Sequence, residues 1–335
     1  MHRLANGGYV PASGMMPVAQ AMRTYCQTTR CDAGVMLGDN IYPDGATLGA
    51  DGRSDAQRFE DIFRAPYGDF GDLAEGFRIY AALGNHDWNT SREGAMAEAA
   101  YLERTPPFYM DGIVYSVRPP AGRGEVEIFV IDTHVLLSGE TVYEDILAED
   151  ASEVETTSVE APDPWARPQT ELERNMVAWL DERLRNSDAR WRIVIGHHPI
   201  WSSAGSKFQQ ARTLRRLLMP TLCRYADMYL AGHEHTLEVH QDSCADVAPG
   251  LAPLTQVVSG AAAKQRPLNS AFMVHQARDN PQLNTLWARG MVWGFAHISL
   301  EADEARVEIV TTPDEGGGEP LSAYTHTFAR RGAGQ

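Results

Sequence analysis

The sequence predicts an α/β fold, on three observations. Four short apolar runs, 35–37, 79–83, 191–195 and 228–231, each stop at a glycine followed by polar side chains. Between them lie segments whose apolar residues fall at helical spacing. Finally, composition is that of an ordinary globular chain, with 43% hydrophobic and 22% charged residues. Strands alternating with helices build sheets whose ligands collect beyond the carboxyl ends of the strands, where all four polar turns would fall.

Taken in order, Val18, Ala19, Met22, Tyr25 and Cys26 predict an amphipathic helix over 18–26. The run 35–37 leads into Gly38-Asp39-Asn40, where glycine permits a sharp turn. The run 79–83 leads into Gly84-Asn85-His86-Asp87, and 125–132 reads as a further strand. Leu172, Met176, Val177, Leu180 and Leu184 predict a helix over 170–185. The strand 191–195 then enters Gly196-His197-His198-Pro199, and Leu214, Leu217, Leu218 and Leu222 predict a helix over 211–223. The strand 228–231 enters Gly232-His233-Glu234-His235, and strands at 256–259, 291–300 and 306–311 make the C-terminal part strand-rich.

The 335 residues are read as one domain over 1–329 with a flexible tail at 330–335. Residues 139–163 hold nine acidic side chains and no Lys or Arg, so a solvated acidic insertion is expected at about 139–168. The net charge of −16 and the lack of a dense basic block argue against nucleic acid as a partner. No apolar stretch is long enough to span a bilayer, and the opening residues make no signal-peptide pattern. Cys26, Cys31, Cys223 and Cys244 form no Cys-x-x-Cys pair, which argues against thiolate metal binding. They fit two disulfides of an exported protein or four buried thiols of a cytosolic one, so compartment stays open.

The chemistry lies in the turns. Asp39, Tyr42, Asn85, His86, Asp87, His197, His198, His233 and His235 combine oxygen and imidazole donors without sulfur, a set suited to zinc, iron or manganese. Nine residues are too many for one ion. A carboxylate such as Asp39 can bridge two cations, which at a spacing of roughly 3.5 to 4 Å hold a hydroxide between them. Other motifs fail: Leu237 stands where His-Glu-x-x-His needs its second histidine, and there is no Gly-x-Ser-x-Gly elbow, P-loop or dinucleotide fingerprint.

Gly38-Asp39-Asn40-Ile41-Tyr42, Gly84-Asn85-His86-Asp87, Gly196-His197-His198-Pro199 and Gly232-His233-Glu234-His235 together resemble the motifs of the calcineurin-like metallophosphoesterases. Tyr42 in the first of them resembles the purple acid phosphatases, above all the short tartrate-resistant type. That resemblance implies a four-layer α/β/β/α sandwich of two mixed sheets. It also implies hydrolysis of phosphate monoesters by metal-bound hydroxide, with an acidic optimum, on a small phosphorylated substrate. Asp39 would bridge two metal ions, Fe(III) plus Fe(II), Zn(II) or Mn(II). Tyr42 and His235 match ligands of the ferric site, and Asn85, His197 and His233 those of the divalent site. His86 matches the histidine that protonates the leaving alcohol, Asp87 would orient it, and Asn40 and His198 would contact substrate or serve as structural hydrogen-bonding groups.

One element departs from the family. Its first strand brings a further aspartate to the ferric site, and counting back from Asp39 places that residue at or before Met1. The first strand is therefore expected to be missing, with His2 a poor substitute at a frayed terminus. The expectation is that Met1 is an internal methionine and that the strand, its aspartate and an export signal lie upstream. Two alternatives stand beside the monoesterase reading: a phosphodiesterase or nucleotide hydrolase on the same metal core, and a degenerate, non-catalytic protein that binds phosphate or metal.

Overall fold

The computed structural model describes residues 13–140, 163–205, 208–313 and 319–331, and the backbone of 2–3 and 9–10. The chain opens with a short hairpin of β1 (His2–Arg3) and β2 (Tyr9–Val10), then helix α1 (Met15–Thr28) and strand β3 (Gly34–Leu37). Short helices α2 (Asp55–Phe59) and α3 (Ala65–Tyr67) lead to β4 (Ile79–Ala82), α4 (Asn85–Trp88) and α5 (Arg92–Arg104). Strands β5 (Phe108–Tyr109), β6 (Tyr115–Val117) and β7 (Val126–Val130) precede α6 (Thr133–Ser138), α7 (Glu171–Arg174) and α8 (Met176–Asn186). The second half runs β8 (Trp191–Ile195), α9 (Phe208–Tyr225), β9 (Met228–Ala231), β10 (Leu237–Asp242), β11 (Leu254–Ser259) and α10 (Ser270–Asp279). It ends in β12 (Leu283–Arg289), β13 (Trp293–Leu300), β14 (Glu304–Thr312) and β15 (Leu321–Ala329).

Seven strands form a mixed sheet in the order β12-β10-β11-β9-β8-β7-β6. Its centre is parallel, β11 to β9, β9 to β8 and β8 to β7. A parallel centre covered on both faces needs apolar runs rather than alternation, and Val130, Ile195, Leu230 and Ala231 are all buried. Each such Val, Ile or Leu contributes about 1.5–3 kcal/mol by leaving water. The fold is mixed α/β as expected, but the second sheet is in two pieces among the described residues. The parallel strands β3-β4-β5 form one, and the antiparallel strands β13-β14-β15 the other. Among the described residues β3 pairs only with β4, and β13 only with β14, so neither reaches the other through a common strand.

Other boundaries shift for local reasons. The helix expected over 170–185 is broken at Asn175, which leaves helical geometry (φ −105°, ψ 19°), while Glu173 turns inward to accept from the Gln169 amide and to pair with Arg92. The acidic insertion is only partly peripheral. Residues 141–162 lie outside the described residues, but Trp165 donates its indole N–H to the Trp88 carbonyl at 2.6 Å and Ala166 is buried, so its C-terminal end packs on the body. Nor is the tail loose at its start, because Arg330 pairs with Asp303 and the Arg331 amide donates to Asp227 at 2.9 Å. Residues 332–335 lie outside the described residues.

Candidate metal centre

Four strand ends meet at one place. β3 and β4 bring Gly38-Asp39 and Gly84-Asn85, and β8 and β9 bring Gly196-His197 and Gly232-His233. The Nδ1–H of His197 donates to the Leu37 carbonyl at 2.7 Å, which ties the two sheets together and turns Nε2 inward. Around that Nε2 stand Asp39 Oδ1 at 3.1 Å, His233 Nδ1 at 3.1 Å and Asn85 Oδ1 at 3.3 Å, with His233 Nδ1 and Asn85 Oδ1 3.0 Å apart. On the other side of Asp39, Tyr42 Oη lies 2.8 Å from Oδ2 and 3.0 Å from His235 Nε2. Donors bound about 2.1 Å from one cation stand roughly 3.0 to 3.4 Å apart in octahedral or tetrahedral arrangement. The six residues thus fit two cations, one in each cluster, with Asp39 between them.

The backbone is shaped around this arrangement. A Cβ on Gly84 would sit 2.4 Å from both the amide nitrogen and Oδ1 of Asp39, so only glycine lets the β3 and β4 turns approach. Asp39 (φ 54°) and His233 (φ 63°) both occupy the left-handed region, at a cost of about 1–3 kcal/mol each. Burial would push the Asp39 carboxyl up, but His197 beside it, with His233 and His86, outweighs that and holds it well below the usual carboxylate range. Burial, and then Asp39, push the Tyr42 hydroxyl upward, so its phenolate needs a cation beside it. His235 is lowered to about 4 by burial and then by Arg266, which leaves it neutral and able to ligate.

The other candidates take different places. His86 donates its backbone N–H to Asp39 Oδ1 at 2.9 Å, and its ring Nδ1–H to the Pro43 carbonyl at 2.6 Å. Asp87 does not touch that ring among the described residues. Its carboxylate accepts instead from the amides of Gly84 (2.8 Å), Ile41 (2.9 Å) and Asn40 (3.2 Å), so the expectation that it orients His86 is corrected: it ties the β3 turn to the β4 turn. His198 is 1% exposed, hydrogen-bonded through Nδ1 to Thr133 Oγ1 at 2.8 Å, with its ring 4.4 Å from that of His233. It backs the cluster. Asn40 donates to the Ala82 carbonyl (2.9 Å) and to Glu98 (3.0 Å), a structural role. Among the described residues no second carboxylate contacts Tyr42 or His235, and the side chain of His2 lies outside them.

A family model described as calcineurin-like phosphoesterase matches residues 18–237. The chain belongs to that family. Over 211 residues it is 30% identical to tartrate-resistant acid phosphatase type 5 of Oryctolagus cuniculus, a match covering 62% of this chain and 56% of that protein. It is 28% identical over 248 residues to the Homo sapiens protein of the same name (71% and 65%), and 27% identical over 232 residues to purple acid phosphatase 4 of Arabidopsis thaliana (69% and 58%). The chain therefore spans more than half, but less than two thirds, of the length of these relatives. Among solved structures, the fold is similar to that of GAP50, titled the anchor in the inner membrane complex of Plasmodium, at TM-score 0.64 and 16% identity over 95% of this chain and 84% of that one. It is also similar to purple acid phosphatase PPD1 from yellow lupin seeds, at TM-score 0.54 and 15% identity over 97% and 50%.

The motifs of this phosphoesterase core pointed to the donors but not to what surrounds them. Glu98 is fully buried on α5, holding Asn40. Glu234, inside a motif yet not among the candidates, is 1% exposed and accepts from Arg266 Nη1 at 2.5 Å. Lys264 places its ammonium 3.6 Å from the centroid of the Tyr42 ring. Only composition hinted at this last residue, because Lys207 and Lys264 are the two lysines among 29 Lys and Arg.

Proposed function

We propose that the chain is a binuclear metal-dependent phosphoesterase that hydrolyses phosphate monoesters. The observation that carries this reading is the pair of donor clusters sharing Asp39, each with atoms 2.8–3.3 Å apart. Asn85, His197 and His233 would hold a divalent ion and Tyr42 and His235 a second, trivalent one, the first half being buried and the second half-exposed. When bound, such a pair supplies Lewis-acid activation of water and positive charge for the phosphoryl oxygens. His86 is the general acid in this scheme. Its Nδ1–H stays on the Pro43 carbonyl, and Nε2, which has no partner among the described residues, is the atom that gives a proton to the departing alcohol oxygen. Asp87, His198 and Thr133 act by holding the backbone and rings in place.

Membership of the family and the tartrate-resistant and purple acid phosphatase relatives support hydrolysis of a small phosphorylated substrate. The decisive experiment is elemental analysis of the purified chain, freed of loose ions, with turnover of an aryl phosphate and of a bis-aryl diester on the same preparation. Two metals including iron, and monoester turnover well above diester turnover, are expected. A second reading, a binding protein with one divalent ion, is favoured by the absence of a second carboxylate at Tyr42 and His235 among the described residues. One metal per chain with no turnover of either ester would establish it. We also propose an oxidising compartment, supported by the disulfides Cys26–Cys31 and Cys223–Cys244. Free thiols throughout, in protein from its natural host, would overturn that.

A further inference from the structure

The antiparallel sheet β13-β14-β15 has two edges of different character. On β13 the Gly294 amide donates to the Ala261 carbonyl at 3.2 Å and the Ala296 amide to Ser259 Oγ at 3.1 Å, so that edge is partly closed. The other edge, β15, runs for nine residues from Leu321 to Ala329 without Lys, Arg, Asp, Glu or Pro. Edge strands are ordinarily blunted by shortness, charge or proline, because unpaired amides and carbonyls invite another strand. Two other strands of this chain obey that rule: β5 has two residues, and β6 has three and runs into Arg118-Pro119-Pro120. β15 has only a bulge at Ala323, between Tyr324, which faces Ile309, and Ser322, which faces Val310.

The direction of its backbone follows from one bond. The Arg330 amide donates to the Asp303 carbonyl at 2.8 Å, and amides alternate between the two sides of a strand. The amides of Phe328, His326 and Tyr324 therefore serve β14, and those of Thr325, Thr327 and Ala329 point away from it. Among the described residues no hydrogen bond reaches this outer row of amides. Inward, Tyr324 stacks on Trp287 and Phe328 meets Trp191 edge-on, with ring centroids 5.7 and 6.3 Å apart, whereas Thr325, Thr327 and Ala329 are exposed. Trp191 begins β8, whose far end carries His197, so the edge lies away from the metal donors. Charge points to the occupant. A chain at −16 repels a second copy over most of its surface, but here the nearby charges are paired, Arg306 with Glu308 and Arg330 with Asp303.

We propose that β15 is a dimer interface, on which a second copy of this chain adds its own β15 antiparallel about a two-fold axis at Thr327. Thr327 then faces its counterpart in the second copy and Thr325 faces Ala329. This register uses every outward amide of the regular run Tyr324–Ala329, in about six hydrogen bonds, and stops short of the bulge. Threonine opposite threonine is a favourable cross-strand pair. The same patch is used on both copies, so the contact closes at two chains and joins the three-stranded sheets into one of six strands. The pairing is independent of the metal centre and of the reaction proposed there.

The test is sedimentation velocity of the full chain at about 1 to 200 μM, a range that brackets a micromolar dissociation constant, on wild type, Thr327→Pro and Thr327→Lys. Position 327 is exposed and its amide does not serve β14, so proline leaves the β14-β15 ladder whole, and circular dichroism verifies that both variants fold. Thr327→Pro removes two hydrogen bonds at the axis, one from each copy, and should weaken dimerisation about thirtyfold. Thr327→Lys keeps the amide but sets two ammonium groups opposite each other, for a weakening of about fivefold. In wild type, hydrogen exchange at the amides of Thr325, Thr327 and Ala329 should slow as concentration rises, with those of Tyr324 and His326 unchanged. Wild type that stays monomeric throughout overturns the dimer and leaves the edge to a different chain. A dimer that both variants leave intact, or that forms without protecting the three outward amides, overturns β15 as its interface.

Discussion

Asp87→Asn separates a residue that orients a catalytic histidine from one that holds the backbone. The wild-type carboxylate accepts three buried amides: those of Gly84 and Asn40 on Oδ2, at 2.8 and 3.2 Å, and that of Ile41 on Oδ1, at 2.9 Å. An asparagine offers one oxygen and an NH2. If the oxygen keeps the Gly84 and Asn40 amides, the Ile41 N–H, beneath a side chain that is 0% exposed, faces a donor. One orphaned buried donor costs about 1–3 kcal/mol, and the remaining two bonds lose their charge assistance. Against this, burial and then Asp39 push the Asp87 carboxyl up to about 7, so removing its charge relieves some repulsion. The balance is a destabilisation of about 2 kcal/mol. Urea unfolding should therefore show a lower midpoint with an unchanged m-value, and aryl phosphate turnover should fall because the β3 and β4 turns carry Asp39 and Asn85. A midpoint moved by less than the equivalent of about 0.5 kcal/mol, together with a large loss of turnover, would refute the backbone role. It would restore the orienting one.

Three further outcomes follow from the same contacts. Gly84→Ala drives a methyl to 2.4 Å from Asp39 Oδ1, so metal content should drop and turnover fall by about a hundredfold, the usual effect of a 1 Å misplacement; elemental analysis and steady-state kinetics check it. Glu98, whose carboxyl burial and then Asp87 raise well above 4.5, has its Oε2 without a hydrogen-bond partner among the described residues. A raised acid is stabilising below its unfolded pKa and loses that contribution as pH rises through its folded one, so wild-type stability should fall toward alkaline pH and Glu98→Gln should flatten the fall, as read from urea midpoints between about pH 5 and 9. Replacing Cys223 and Cys244 together by alanine opens a cross-link spanning 21 residues and should lower stability by about 3 kcal/mol in the chain-entropy account, measured by the same unfolding curves.

Much of the centre was readable because its donors are local to strand ends. A glycine after an apolar run has a recognisable pattern, and Asp39, Asn85, His197 and His233 each follow one within a residue or two. Less was readable where chemistry depends on contacts far apart in sequence. Asp87 was given to its neighbour His86, whereas the amides it binds at Asn40 and Ile41 are more than 45 residues away. Glu98 looks like any polar residue on an amphipathic helix, and its burial depends on the β3 turn packing over α5. The cysteine pairing stayed open for the same reason, since Cys223 at the end of α9 meets Cys244 only once β9 and β10 have formed.

By itself the sequence determined the α/β alternation and the donor types, because periodicity and residue chemistry are local properties of the chain. It carried, through four ordered motifs, the family. Only the tertiary structure gave the distances between the donors across Asp39, since these depend on two sheets meeting through His197 and Leu37. It also decided which charges are balanced. Glu234 neutralises Arg266 and leaves Lys264 over Tyr42 because the loop after β11 is pinned to His235 by a backbone bond, and a bond between residues 31 apart in the chain has no periodicity by which sequence could announce it.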